Sequence, residues 1–205
     1  MPESPQAREP IRQWLRRELP QIALMLGLLL AARDTLANHY QVPSGSMRHT
    51  LQVGDRVAVD MRAYGLRLPF TQVTLLDTGT PARGDIAVFD SPVDGERLIK
   101  RVVAVAGDTV ELRDGRLRIN GVALAAVDGE VERFGRHRAA LDLAQGGGPD
   151  IAPRVIPKGQ VLMLGDARGN SLDGRYFGLV RASSLYGRAT AVYYRRGEGL
   201  AWRAL

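Results

Sequence analysis

A mainly β protein, built of antiparallel sheets and preceded by one N-terminal transmembrane helix, is the fold class this sequence predicts. Three observations carry it: one apolar run near the N-terminus behind a cluster of arginines, a series of short β-like segments beyond residue 40, and no long amphipathic helical pattern after that point. The 205 residues suit one globular domain with an appendage, and the hydrophobic share of 45% is enough to bury a core.

The first segment, residues 1–18, is polar and carries Arg8, Arg12, Arg16 and Arg17 ahead of the apolar run Leu19 to Ala32. That run as a helix covers only about 21 Å against a hydrocarbon core of roughly 30 Å, so a spanning helix has to continue through Thr35-Leu36-Ala37 towards Tyr40. The anchor is therefore expected over 19–40, with Arg33 snorkelling to the far headgroups. Arginines ahead of the anchor keep the N-terminus in the cytoplasm and export residues 41–205. A cleavable signal peptide and a buried core helix are the alternatives; Ala31-Ala32-Arg33 and Thr35-Leu36-Ala37 are poor cleavage sites for the first.

Strands are expected over Val53 to Met61, Ile86 to Asp90, Leu98 to Val105, Thr109 to Arg113, Leu117 to Asn120, Val161 to Leu164 and Ala189 to Tyr194. Asp114-Gly115 is a two-residue hairpin signal that favours positive φ, and Asn120-Gly121 follows soon after. The stretch 128–153 reads as an insertion, with Gly146-Gly147-Gly148-Pro149 as its flexible part.

Composition narrows the chemistry. Cysteine is absent, which removes disulfides, a thiolate nucleophile and Cys-ligated zinc. The net charge of +6 comes from scattered arginines and not from a basic arm or helix, so no nucleic-acid partner is expected and anionic lipid accounts for the charge as well. Of 28 basic residues only Lys100 and Lys158 are lysines. Lys158 lies in the turn Pro157-Lys158-Gly159, where a solvated role is the plain expectation.

Pro43-Ser44-Gly45-Ser46-Met47 follows the apolar run closely, so a serine there stands just beyond the bilayer surface. On its own a Ser-Gly-Ser is usually a turn, and a serine hydroxyl needs a base to become a nucleophile. His39, His49 and His137 are scattered, without an Asp partner motif or metal-ligand spacing. Lys100 interrupts an apolar strand, on a face with Leu98, Val102 and Ala104. Desolvation there would lower the lysine pKa, which arginine cannot match because it keeps its proton. A strand lysine whose head reaches solvent remains the alternative. The third cluster runs from Gly165-Asp166 through Asn170-Ser171 and Asp173 to Arg175. It reads as a polar loop and not a calcium loop, since Arg168 stands where an oxygen ligand is needed.

Taken together, the boxes Val42-Pro43-Ser44-Gly45-Ser46-Met47, Arg83-Gly84-Asp85-Ile86-Ala87-Val88-Phe89, Lys100-Arg101-Val102-Val103 to Gly107-Asp108, and Gly165-Asp166 to Gly178 resemble the bacterial type I signal peptidase family in content and order. Ala63-Tyr64-Gly65-Leu66 resembles a further family segment. The resemblance implies Ser46 as nucleophile, Lys100 as general base, Ser171 as the hydroxyl that orients the lysine, and an oxyanion hole from the Ser44 hydroxyl and the Ser46 backbone N–H. It gives Asp166, Asp173 and Arg175 a supporting structural role, and makes Val42 and Ile99 candidate walls for small substrate side chains. It also implies a serine endopeptidase of the bacterial inner membrane, single-pass with its catalytic domain on the periplasmic side. Its partners are preproteins with signal peptides and the lipid bilayer, and it needs no metal or cofactor.

Four positions depart from the family pattern: His49 for the usual proline, Ala106 for proline, Ala167 for asparagine and Gly174 for serine. They leave room for a specialised Ser-Lys protease with few substrates. A self-cleaving DNA-binding regulator lacks support for want of a helix-turn-helix pattern. A non-enzymatic membrane-tethered β domain would tolerate arginine at position 100.

Overall fold

The computed structural model describes residues 9–68, 71, 73–126 and 129–205 and, within its first helix, the side chains of residues 14–30. That helix, α1 (Glu9–Thr35), is followed by β1 (Ala37–Gln41), β2 (Arg56–Asp60), β3 (Leu66–Arg67), β4 (Thr74–Leu76), β5 (Ile86–Asp90), β6 (Arg97–Val105), β7 (Thr109–Arg113) and β8 (Arg116–Ile119). Then come β9 (Val122–Ala123), β10 (Val131–Phe134), β11 (His137–Ala140), β12 (Ile151–Val155), β13 (Gln160–Leu164), the short α2 (Gly174–Phe177), β14 (Val180–Arg181), β15 (Gly187–Arg195) and β16 (Gly199–Ala204). The fold is mainly β. An eight-stranded sheet in the order β1-β2-β15-β5-β6-β13-β14, with β16 on β15, is joined by a four-stranded sheet β12-β7-β8-β9 and the pairs β10-β11 and β3-β4. Every pairing between these strands is antiparallel.

The seven expected strands are all present, as β2, β5, β6, β7, β8, β13 and β15. Alternation explains them: β2 turns Val57 and Val59 inward, β7 Val110 and Leu112, and β8 Leu117 and Ile119. Each such side chain contributes about 1.5–3 kcal/mol on burial. The Asp114-Gly115 turn has φ of 48° and 75°, as a tight hairpin of this hand requires.

Two expectations are corrected. The first helix starts before residue 19 and stops at Thr35; Ala37–Gln41 is not helical but pairs with β2 from Ala37↔Asp60 to Gln41↔Arg56. Asn38, His39 and Tyr40 are weak helix formers, and the β2 edge satisfies their backbone groups. Among the described residues no helix is long and apolar enough to cross a membrane. Pro20, Gln21 and the charges at Arg16, Arg17 and Glu18 break the apolar character of α1 without ending the helix, and the apolar run from Ile22 to Ala32 spans only about 17 Å. Its described side chains, among them Leu24, Met25, Leu28 and Leu29, are nonetheless exposed. Residues 1–8, Asp128 and the side chains of Arg12 and Arg33 lie outside the described residues.

The second correction concerns the insertion. Its β10-β11 hairpin and β12 are built into the body: β12 pairs β7, and Phe134 and Ala139 lie in the same core as Val103, Leu112 and Leu164. The glycine stretch expected to be flexible is packed. A Cβ on Gly147 would collide with the backbone of Asp114 and Gly115, and its carbonyl accepts from Arg175 Nη1 at 2.6 Å. Gly147→Ala is therefore expected to cost about 2–3 kcal/mol from overpacking. Gly146→Ala, at φ 88° but in open space, should cost only about 1 kcal/mol. Urea unfolding midpoints of the two variants check this ranking; equal losses would show that packing at Gly147 is not the constraint.

Candidate active site

The serine box is held from both sides. Ser44 is extended, and Gly45–Met47 forms one 3-10 turn whose end is fixed by Arg48 N donating to Gly45 O at 3.0 Å and Leu51 N to Met47 O at 2.7 Å. Met47 and Leu51 are fully buried with Val57 and Val88, so the core clamps the turn. Ser46 itself is 5% exposed, and the Ser44 hydroxyl donates to its Oγ at 3.3 Å.

Lys100 comes from β6, opposite Ala87 of β5, a neighbour too small to shield or pair it. Only 3% exposed, it makes no hydrogen bond or ion pair to protein among the described residues. Burial pulls its pKa down from the ordinary 10.5 to about 8, while Asp173 raises it, Arg175 lowers it and Asp166 raises it. About a tenth of the amine is then neutral at pH 7. All three of those charges belong to residues 166–175, the segment that also carries Ser171.

That loop docks on the nucleophile. Ala167 N donates to Ser46 O at 3.1 Å, and Gly165 lies so close that a Cβ would sit 2.5 Å from Ser46 O and on top of Ser171 Oγ. Ser171 Oγ is buried without a hydrogen-bond partner, a costly state that calls for an explanation. A lysine amine is the kind of group it is free to meet.

The loop carboxylates are meanwhile occupied. Asp166 takes Arg101 Nε at 2.9 Å and Nη2 at 2.7 Å, and also accepts from Thr50 Oγ1 at 2.5 Å. Asp173 accepts from Gly165 N at 2.9 Å and from Arg175 Nε and Nη2, both at 2.8 Å. Arg168 donates to Gly165 O at 3.0 Å and pairs with Glu132 of β10, both side chains 1% exposed.

The candidate residues thus gather, with one difference of position. Val42 is buried in the core, its N–H and C=O already used by Asp55 O and Gly54 N, whereas Ile99 packs on the same cluster but keeps part of its surface. None of the three histidines hydrogen-bonds Ser46. His49 has φ 74°, which a proline could not adopt, so its departure from the family pattern changes the turn after the nucleophile. Sequence reasoning missed Glu132 and Gly147, because neither carries a local signal of its distant partner. Among the described residues no three His, Asp or Glu side chains converge as a metal site. A hydroxyl, a mostly uncoupled amine and a second hydroxyl are the parts for acyl transfer through a serine ester.

A family model described as signal peptidase, peptidase S26, matches residues 11–194. Signal peptidase I of Pseudomonas fluorescens is 34% identical over 204 residues, covering 82% of this chain and 69% of its own. Signal peptidase I of Pseudomonas aeruginosa is 34% identical over 195 residues with the same coverage. A crystal structure of a signal peptidase I from Enterococcus faecalis V583, 34% identical, covers 54% of this chain and 97% of its own at a TM-score of 0.38.

Arg175→Gln removes a charge that lowers the Lys100 pKa and frees Asp173, which raises it; both effects favour the ammonium. Catalytic activity that requires the free amine should fall about tenfold at pH 7 and recover above pH 9. A loss equal at every pH in the rate profile would assign Arg175 to structure alone.

Proposed function

The chain belongs to the signal peptidase family, peptidase S26, and from that membership we propose that it removes N-terminal signal peptides from exported preproteins, with Ser46 as nucleophile and Lys100 as general base. What chiefly supports the assignment is the buried lysine without a counter-ion beside a serine turn and an unpartnered hydroxyl.

The neutral Lys100 amine takes the Ser46 proton as Oγ attacks the scissile carbonyl. The resulting oxyanion is received by the Ser46 N–H and, after rotation away from Ser46 Oγ, by the Ser44 hydroxyl. Protonated Lys100 donates to the leaving amine. It then deprotonates the water that hydrolyses the acyl-enzyme, and Ser171 Oγ accepts from the amine and fixes its direction. No cofactor enters these steps. Asp166, Asp173 and Arg175 hold the loop in place. Ile99 lines the pocket for a small side chain before the cut, with Val42 behind it as backing in the core.

α1 seats its exposed apolar stretch in the membrane, the arginine-rich residues 1–18 on the cytoplasmic side and the domain from β1 onward on the outer, periplasmic side. With residues 1–18 outside the core, residues 19–35 of α1 reach about 25 Å, and local thinning of the bilayer and snorkelling of the flanking arginines make up the difference. The departure at His49, with its left-handed backbone, leaves room for a second reading, a specialised peptidase of few substrates.

Precursors with Ala-x-Ala leaders, offered to the full chain in detergent, test the assignment. Ser46→Ala and Lys100→Arg should each lower cleavage by about 10³-fold or more. Because the amine must be neutral, kcat/KM should rise about tenfold per pH unit below about 8 and level off above it. Undiminished cleavage in either variant would sink the pair.

Ser44→Ala should lower kcat by about 10²–10³ with little change in KM, the pattern of a donor used only in the transition state. A change confined to KM would mean that Ser44 binds substrate instead.

A further inference from the structure

A series of cavities adjoins the Ser46 turn. It opens at Gly45, Arg48 and Asn170. Arg48 and Asp142 are shared with a cavity of about 720 Å³, which shares His49 and Ala140 with one of about 480 Å³. Arg136 and His137 carry it on into a last cavity of about 390 Å³. The cavities thus share walls in sequence, and Arg48 and His49 at the near end follow Ser46 in the chain, whereas Val42, β1 and α1 precede it.

The charge of its far walls is uncompensated. Arg136 and Arg138, on the β10-β11 hairpin, have no ion pair or hydrogen bond among the described residues. Arg188 reaches Asp85 only at 3.8 Å. The other arginines of the same cavity are committed: Arg101 to Asp166, Arg195 to Asp55 and Arg203 to Glu198. The acids along the track are few, Asp142 already paired with Arg48 and Glu130 at the rim. His137 is held below its ordinary pKa, first by burial, with Arg136, Arg101 and Arg188 pushing the same way against Asp85. Free guanidinium groups in a peptide-sized groove match carboxylates.

We propose that the segment of the substrate immediately after the scissile bond lies in this groove, and that Arg136 and Arg138 select for aspartate or glutamate there. The inference rests on the peptidase assignment above and adds a specificity to it. A chain whose leader side lies by Ile99 and whose carbonyl is at Ser46 must leave past Arg48 and His49, and an extended segment advances about 3.3 Å per residue along the track.

Three precursors that differ only just after the cut, carrying aspartates, glutamines or lysines, would be cleaved by the full chain in neutral detergent, and kcat/KM compared with that of an Arg136→Glu, Arg138→Glu double variant. The wild-type chain should prefer the aspartate over the lysine precursor by about tenfold at low ionic strength, a preference that fades near 1 M salt. The double variant should invert the order and cut the glutamine precursor within about twofold of wild type. An unchanged order in the double variant, or a preference indifferent to salt, overturns the proposal. So does a charge effect seen only with vesicles of anionic phospholipid, which would make the groove a headgroup site. If the peptidase assignment itself were wrong, none of the three precursors would be cut in a Ser46-dependent way, so the two failures are distinct.

Discussion

The candidate site depends on one electrostatic condition: a lysine buried beside two carboxylates must remain free of both. Asp166 and Asp173 each favour the ammonium form of Lys100, and a direct ion pair with either would end the proposed use of its amine as a base. The loop avoids this by giving each carboxylate an arginine of its own, Arg101 for Asp166 and Arg175 for Asp173. Arginine suits that task because it binds in a two-pronged fashion and keeps its proton. The chain's preference for arginine and its single buried lysine are two sides of one arrangement.

Strand geometry delivers the arrangement. Lys100 and Arg101 are neighbours on β6, so alternation sends them to opposite faces. The lysine faces the Ser171 side, and the arginine reaches round to hold the loop from behind, with a further bond to Gly84 O at 2.8 Å. Buried ion pairs of this kind add little net stability, since desolvation offsets much of their attraction. Their value here lies in direction: removing one partner would leave a buried charge next to the lysine. Glu132 and Arg168 extend the same logic to the β10-β11 hairpin, tying it to Gly165 O and through it to the backbone that touches Ser46 and Ser171.

How much of this was legible follows from the range of each interaction. Strands such as β7 and β8, with the Asp114-Gly115 turn between them, are written in local alternation and turn chemistry, and they appear where the pattern puts them. Lys100 was legible because its residue type is rare and its strand apolar. The end of α1 was not, because the apolar run fades gradually and it is the distant β2 edge that turns Ala37–Gln41 into a strand. Glu132 and Gly147 were hidden for the same reason. Their partners, Arg168 and the Asp114-Gly115 backbone, lie more than thirty residues away, and nothing within a short window marks a glutamate as buried or a glycine as wedged. Val42 and Ile99 are candidates because an extended substrate alongside their strands would set alternate side chains against them; their depth of burial, which depends on distant packing, was not legible.

The junction of α1 and β1 has a consequence for where chemistry can occur. A single residue separates Thr35 from Ala37, and β1 is locked into the main sheet over all five of its residues. With α1 seated in lipid as proposed, the domain has no slack chain on which to drift. Ser46 lies eleven residues beyond the helix end, a contour of at most about 39 Å, and β1 consumes about 17 Å of it along a fixed direction. On that placement the proposed nucleophile is confined to a layer near the bilayer surface. A leader peptide held across the same bilayer presents its cleavage site in that layer, so the short connection supplies by geometry much of the encounter that a freely diffusing protease would have to gain by binding.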